Sequence, residues 1–207
     1  MAEIKLTKME LRERQYRLNQ LKKYLPTLQL KKSMLQNEVN QALYEIETLK
    51  EGYQEQLKAC EQFESLFGDP EGVLVRGGAM IDHVEKRFEN VAGSEIPVFK
   101  KVIFQPISYS LLATPLWVDA AIGKIRELVV AQQKIKVARE KKEILEKELR
   151  DVSIRVNLFE KVLIPRTEKW IKKIRVFLGD QELASISQAK VAKNKIEKRE
   201  LEQGISA

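Results

Sequence analysis

Two long stretches of this chain repeat apolar residues every seven positions, and this pattern limits the possible folds more than any other feature. The first seam comprises Leu11, Leu18, Leu25, Lys32, Val39, Ile46 and Tyr53, with Arg14, Leu21, Leu28, Leu35, Ala42 and Leu49 three positions further on. The second seam comprises Leu128, Ile135, Lys142, Leu149, Val156, Leu163, Trp170 and Phe177, with Ala131, Ala138, Leu145, Val152, Phe159, Arg166 and Lys173. A narrow apolar stripe kept over several heptads is typical of a coiled-coil helix.

The nearest partner for each helix is the other one. A single narrow stripe cannot be buried alone, and the segment between the helices is long enough to reverse the chain. We predict a mainly α fold, a long antiparallel two-helix coiled coil with a small β-hairpin-containing segment between the helices. Its parts are an N-terminal coiled-coil helix over residues 1–67, a middle segment over 68–114, a C-terminal coiled-coil helix over 115–178 and a polar, partly helical tail over 179–207.

Prolines and glycines mark the expected interruptions. Pro26 and Pro165 each remove a backbone donor and should kink or interrupt their helices. A turn cluster at residues 68–72 should end the first helix, and Thr114-Pro115 should start the second. Gly179-Asp180 predicts a break before the polar tail.

Branched and aromatic residues on both sides of Gly93-Ser94 predict a β-hairpin in the middle segment. The two runs carry Val84, Phe88 and Val91, and then Ile96, Val98, Val102 and Phe104. Pro97 indicates an edge strand. Because a lone hairpin is marginal in water, we expect it to pack on the helices or on another protein.

Basic residues concentrate at the two ends of the chain, whose net charge is +7. Residues 1–32 carry nine basic and three acidic residues, and residues 166–199 carry ten and four. An antiparallel fold brings these ends together as a tip of formal charge +12, which favours an acidic partner. The candidate contact residues are Lys22, Lys23, Lys169, Lys172, Lys173 and Arg175.

The chain lacks the residues on which common active sites depend. It has one histidine, His83, and one cysteine, Cys60, and no phosphate-binding loop, HExxH, CxxC or GxSxG pattern. We expect no catalytic residue, no cofactor and no metal ligand, and a structural role for His83. A single cysteine also fits a reducing compartment.

Membrane insertion is not expected either. The most apolar stretch, residues 111–122, is shorter than the ~20 residues that a spanning helix needs. The first ten residues contain no apolar core of a secretory signal. We predict a cytosolic protein, peripheral to a membrane at most.

Three stretches in a fixed order form recognisable motifs. They are Leu25 to Leu28 (LPTL), Glu89 to Phe99 (ENVAGSEIPVF) and Arg155 to Arg166 (RVNLFEKVLIPR). Together they resemble the D subunit of the vacuolar/archaeal-type rotary ATPases. The last stretch is the most specific, since the family typically reads RVNALE, then a short apolar run, then IPR. The matching positions are Pro26, Gly93, Pro97, Arg155, Asn157, Glu160 and Pro165.

The resemblance implies a central-stalk rotor subunit, which transmits torque between an ATP-hydrolysing head and an ion-translocating membrane ring. In that family the coiled coil enters, termini first, a head of catalytic (A) and non-catalytic (B) subunits. The small F subunit of the stalk binds along its side, and the opposite end sits on the subunit that connects the shaft to the ring. The resemblance further implies a non-catalytic, cytoplasmic subunit, peripheral to the membrane, with no cofactor and no nucleic acid.

Two other classes of protein share parts of this pattern. A prefoldin-like chaperone subunit also joins two coiled-coil helices through β-hairpin structure, but its tips bind unfolded chains through apolar residues. A nucleic-acid-binding coiled-coil arm would use the basic tip and would bind with a steep salt dependence.

Overall fold

The computed structural model describes residues 5–61, 72–110 and 114–204. Its elements are helix α1 (Lys8–Glu61), helix α2 (Gly72–Gly78), strands β1 (Ile81–Val91) and β2 (Ser94–Phe104), helix α3 (Leu116–Leu158), a π-helical segment (Phe159–Leu163) and helix α4 (Ile164–Gly204). The predicted fold class, two long helical regions with a small hairpin between them, is confirmed. The predicted turn at 68–72 and the continuation of the first helix to residue 67 fall largely on residues 62–71, outside the described residues.

The chain divides into two compact units. The terminal unit contains residues 1–29 and 154–207, and therefore both chain ends. The middle unit contains residues 30–153, and therefore the rest of α1, most of α3, α2 and the hairpin.

In the middle unit, α1 and α3 pair in antiparallel orientation. Lys141 forms an ion pair with Glu45 at 2.9 Å, while Cys60, near the end of α1, lies beside Lys124 at the start of α3. Leu35 and Leu145 are both fully buried in the interface. Every position of the first predicted seam from Leu11 to Tyr53 is buried or half-buried, in both units, so the heptad prediction for α1 is confirmed over that range.

The hairpin turns tightly at Ala92 and Gly93, one residue earlier than predicted. Both residues have positive φ, 52° and 84°, as a two-residue type I′ turn requires. The backbone N–H of Gly93 donates to the side-chain oxygen of Asn90 at 2.9 Å. The antiparallel register places Pro97 opposite Phe88.

One face of the hairpin packs against the helices of the middle unit. Lys86 pairs with Glu140 on α3, and the Lys134 ammonium lies 5.8 Å from the centre of the Phe99 ring. Ile96 is only 2% exposed, whereas Phe88 points outward and is 65% exposed. The hairpin is thus held by its own chain, as expected for an element that is marginal alone.

A short helix that the sequence pattern did not predict, α2, packs on the start of α3. Val75 joins Val118, Ala121 and Ile122 in a small apolar core. A Cβ on Gly78 would lie 3.0 Å from the Ile122 side chain, so a glycine permits this close approach. The apolar run 73–75 gave no helical signal because its flanking glycines concealed the helix.

Three predicted helix boundaries change in the structure. A kink or an interruption was expected at Pro26, and the interruption is wrong, because helix α1 continues through this residue. Pro26 is exposed, and water can satisfy the carbonyl that a proline leaves without a donor. Helix α4 also continues through Gly179-Asp180, because one glycine costs a helix only about 1 kcal/mol. Helix α3 begins at Leu116, and the Thr114 hydroxyl donates to the Ser110 carbonyl at 2.8 Å instead of capping it.

The disturbance predicted at Pro165 takes the form of the π-helical segment just before it. The backbone N–H of Ile164 donates to the carbonyl of Phe159, five residues back. A proline has no N–H for the carbonyl four residues earlier, here Lys161, and its ring crowds that carbonyl. A single π turn is a common response to such a conflict within an α-helix.

Beyond the π-helical segment the predicted second seam is wrong by one residue. The heptad count puts Arg166, Trp170, Lys173 and Phe177 in the interface. The inward positions are instead Thr167, Ile171, Ile174 and Leu178, of which the first three are buried and the last half-buried. The heptad count is off by one because it takes no account of the extra residue that the π turn accommodates.

Candidate functional site

The terminal unit brings the two basic ends of the chain together. Lys8 near the start of α1 pairs with Glu182 at 3.1 Å, and Lys22 further along α1 pairs with Glu168 at 2.7 Å. Because the α1 number rises while the α4 number falls, the two segments are antiparallel. Ile171 and Ile174 of α4 and Leu21 of α1 are buried in this unit.

All six basic residues that the charge pattern singled out lie in the terminal unit with exposed side chains. Lys22 and Lys23 lie on α1, and Lys169, Lys172, Lys173 and Arg175 lie on α4. Within the described part of the chain, Lys22 alone among them forms an ion pair, with Glu168. The other five therefore keep their charge available for a partner, and Lys22 is partly neutralised.

A surface groove of about 630 Å³ runs between α1 and α4 beside these residues. Its walls are Gln15, Leu18, Asn19, Glu168, Ile171, Lys172, Arg175 and Val176. The groove combines two cations with one carboxylate and an apolar floor. Such a surface suits exchangeable polar contacts with another protein more than capture of a small ligand.

Two arginines stack on Trp170, a cluster that heptad counting did not reveal. The guanidinium carbons of Arg14 and Arg166 each lie 4.5 Å from the Trp170 ring centre. Arg14 also contacts Glu10 at 2.6 Å. This stacking explains how Arg14 occupies a seam position, since its planar charge rests on an aromatic face.

A double-mutant cycle tests the Arg14–Trp170 contact. Arg14→Met removes both the stack on Trp170 and the ion pair with Glu10. In a Trp170→Leu background the same change should cost about 0.5–1 kcal/mol less, the range of a partly exposed cation–π contact, because the ion pair is lost in both backgrounds. Strict additivity of the two substitutions in chemical denaturation would contradict the assignment.

The family-motif positions are divided between the two units. Gly93 forms the hairpin turn and Pro97 is buried in β2, both in the middle unit. The remaining positions belong to the terminal unit: Pro26, Arg155, Asn157 and Glu160 are exposed, and Pro165 is half-buried. Their roles in binding remain predictions.

His83 and Cys60 lie in different surroundings. The His83 ring nitrogen Nδ1 contacts the Asp82 carboxylate at 2.7 Å on the exposed surface of β1. Cys60 is a buried free thiol near the end of α1. Among the residues that the structure describes, no group of three or more His, Cys, Asp or Glu side chains could hold a metal ion.

The Cys60 thiol should be slow to react. Burial raises its pKa, and the nearby Lys124 ammonium only partly opposes this effect. Since the thiolate is the reactive form, alkylation at pH 8 should be several-fold slower in the folded chain than in guanidinium, and should accelerate as the pH rises above the usual thiol range. Equal rates in the two states would contradict the buried placement.

Comparisons with known proteins match almost the whole chain, and they indicate the same family. The profile of the ATP synthase D-subunit family matches residues 10–194. The V-type ATP synthase D subunit of Chlamydia abortus is 45% identical over 202 residues, covering 97% of each chain. The protein of the same name from Chlamydia pneumoniae is 44% identical over 199 residues, covering 96% of this chain and 95% of the relative.

A third relative, the V-type ATP synthase D subunit of Chlamydia trachomatis serovar L2, is 42% identical over 200 residues. The comparisons give no support to the prefoldin-like or the nucleic-acid-binding alternative. In the described ranges, no helix is both long and apolar enough to cross a membrane. Matched over nearly its full length by the profile and by these relatives, the chain belongs to the ATP synthase D-subunit family.

Proposed function

We propose that this chain is the central-stalk rotor subunit of a V/A-type rotary ATPase and transmits torque between the ATP-hydrolysing head and the ion-translocating membrane ring. The observation that carries the proposal is the near full-length match to the D subunit of V-type ATP synthases. The paired helices of each unit add to it, because two helices with interlocking side chains resist twisting better than one.

The terminal unit is the part that enters the head of A and B subunits. A rotor meets several head subunits in turn, so its contacts must be exchangeable. Screened attractions between exposed lysines and carboxylates of the head meet this need, since each contributes little and none locks the rotor in place. Lys23, Lys169, Lys172, Lys173 and Arg175 are the main contact residues, and Lys22 contributes less because Glu168 already pairs with it.

The chain acts without an active site of its own. ATP hydrolysis belongs to the head subunits, the small F subunit of the stalk binds along the side of the chain, and a connecting subunit joins it to the membrane ring. The chain is a cytoplasmic protein held at the membrane through these partners. It binds no nucleic acid and needs no cofactor for this mechanical role.

Reconstitution tests the proposed function directly. We expect the chain, mixed with a hexamer of catalytic and non-catalytic subunits, to form a complex with one copy of the chain per hexamer. Single-molecule observation of a bead attached to the chain should then show rotation driven by ATP. Suppression of aggregation of unfolded proteins, without binding to the hexamer, would favour the chaperone alternative instead.

A further inference from the structure

The apolar positions of the terminal unit contain one irregular step. From Val156 the inward residues are Phe159 and Leu163, at heptad steps of three and four. The next inward residue is Thr167, a step of four where the heptad requires three. From Thr167 onward the steps to Ile171, Ile174 and Leu178 again follow a heptad. One residue has therefore been added to the repeat near Leu163.

The π-helical segment lies at the place where this extra residue enters. It spans Phe159–Leu163 and none of its five residues is buried. A π turn accommodates one residue more than an α turn of the same height, so it leaves the flanking α-helices in phase with each other. In a continuous α-helix each additional residue would rotate everything after it by about 100°.

The rotation decides which side chains of α4 face outward. With the observed seam, Lys169, Lys172 and Lys173 lie within about 50° of the direction opposite to the interface, and all three are exposed. If the heptad repeat continued past Leu163 without the extra residue, the interface would instead take Arg166 and Lys173. Ile171, now 6% exposed, would then turn toward solvent.

We propose that the π-helical segment holds a single residue in excess of the coiled-coil repeat, and that this accommodation keeps the lysines of α4 on the outward face and its isoleucines in the interface. The segment is a positioning element for the candidate contact surface. The claim about the register of α4 stands on the seam positions alone. The claim about the contact surface rests on the proposed function.

The proposal predicts an asymmetry between removing and adding a residue at the same place. Deletion of the exposed Lys161 removes the excess, so the segment becomes regular α-helix and the seam through Thr167, Ile171 and Ile174 is kept. Insertion of one alanine after Lys161 adds a second excess residue, which rotates α4 by about 100° out of the interface. In a regular helix pair the two changes would be equally disruptive.

Thiol labelling of the full-length chain measures the register. In a Cys60→Ala background, single Ile171→Cys and Lys173→Cys substitutions place a thiol on the inward or the outward face of α4. In the parent chain and in a Lys161→Ala control, maleimide should react about tenfold more slowly at position 171 than at 173, because a buried thiol needs local opening. The Lys161 deletion should keep this order, whereas the alanine insertion should abolish or reverse it.

A second control uses a helix without a π-helical segment. Helix α1 contains no excess residue at the exposed Gln20, so deletion of Gln20 should disturb the seam and lower the melting temperature. Deletion of Lys161 should leave the melting temperature unchanged or raise it. The proposal is overturned if the Lys161 deletion makes position 171 as reactive as 173, or if deletion and insertion at Lys161 have equal effects.

The head-binding readout separates this inference from the proposed function. If the labelling results are as expected, the Lys161 deletion should bind the catalytic hexamer as the parent does, and the insertion should bind about tenfold more weakly, because its basic face is displaced. If neither parent nor variant binds the hexamer while the labelling order holds, the proposed function fails and the register assignment stands.

Discussion

Reversing three charges on the outward face of α4 is expected to uncouple the chain from the head. Lys169→Glu, Lys172→Glu and Lys173→Glu together change the charge of the terminal unit by six units. Under the proposed function their side chains would then face carboxylates of the head. Like charges brought together cost several kcal/mol, so affinity for the hexamer should fall about 100-fold at low salt. ATP-driven rotation in the single-molecule assay should be lost.

The matched control reverses the same amount of charge in the middle unit. Lys136, Lys147 and Arg150 are exposed on α3, and replacing them by glutamate leaves the terminal unit unchanged. This variant should bind the head and rotate as the parent does. Normal binding and torque in the Lys169, Lys172 and Lys173 triple variant would show that these lysines are not part of the contact surface.

Truncation of Leu145 is expected to cause a large loss of stability. Leu145 is 0% exposed in the interface between α1 and α3. Leu145→Ala should lower the free energy of unfolding by about 2–5 kcal/mol, because it removes buried methyl groups and leaves a cavity that the helices can only partly fill. Chemical denaturation followed by circular dichroism measures this loss.

Leu30 provides the matched control on the opposite surface. The same substitution, Leu30→Ala, removes a side chain that is 63% exposed and should change stability by at most about 0.5 kcal/mol. Equal losses for the two leucines would mean that the seam does not lie where the heptad pattern and the structure both place it.

The heptad pattern was a reliable guide wherever the helix is regular. The seam positions from Leu11 to Tyr53 are all buried or half-buried in α1, and those of the second helix are so as far as Leu163. The same pattern failed after Leu163 because a π turn adds a residue without changing composition or hydrophobicity. The sequence does contain evidence of this change of register. Pro165 is followed by an apolar series, Ile171, Ile174 and Leu178, that lies one residue beyond the heptad count.

Local signals of single residues were less reliable than periodicity. Gly179 predicted a break and Pro26 a kink or an interruption, yet both helices continue. One glycine costs a helix only about 1 kcal/mol, and the larger cost of a proline, about 3 kcal/mol, is offset by the packed seam residues on either side. The hairpin was predictable, since two branched runs flank a small-residue turn. Helix α2 was not, because three glycines in seven residues conceal a helix whose stability comes from packing on Val118 and Ile122.

Composition alone could not show that the candidate contact residues form one surface. Two basic ends of a sequence form one surface only if the chain folds back on itself. The ion pairs of Lys8 with Glu182 and of Lys22 with Glu168 show that the ends lie side by side in the terminal unit. The stack of Arg14 and Arg166 on Trp170 was missed because heptad counting treats an arginine in a seam only as an exception.

The distance between nitroxide labels at Lys22→Cys and Glu168→Cys, in a Cys60→Ala background, tests most directly whether the two chain ends pair within one molecule. Side chains facing each other across paired helices, whose axes are 8–10 Å apart, should give one narrow distance of about 20 Å or less. Dilution with unlabelled chain should leave that distance unchanged. A long or broad distance, or a short one that disappears on dilution, would contradict the antiparallel pairing on which the rotor assignment and the contact surface depend.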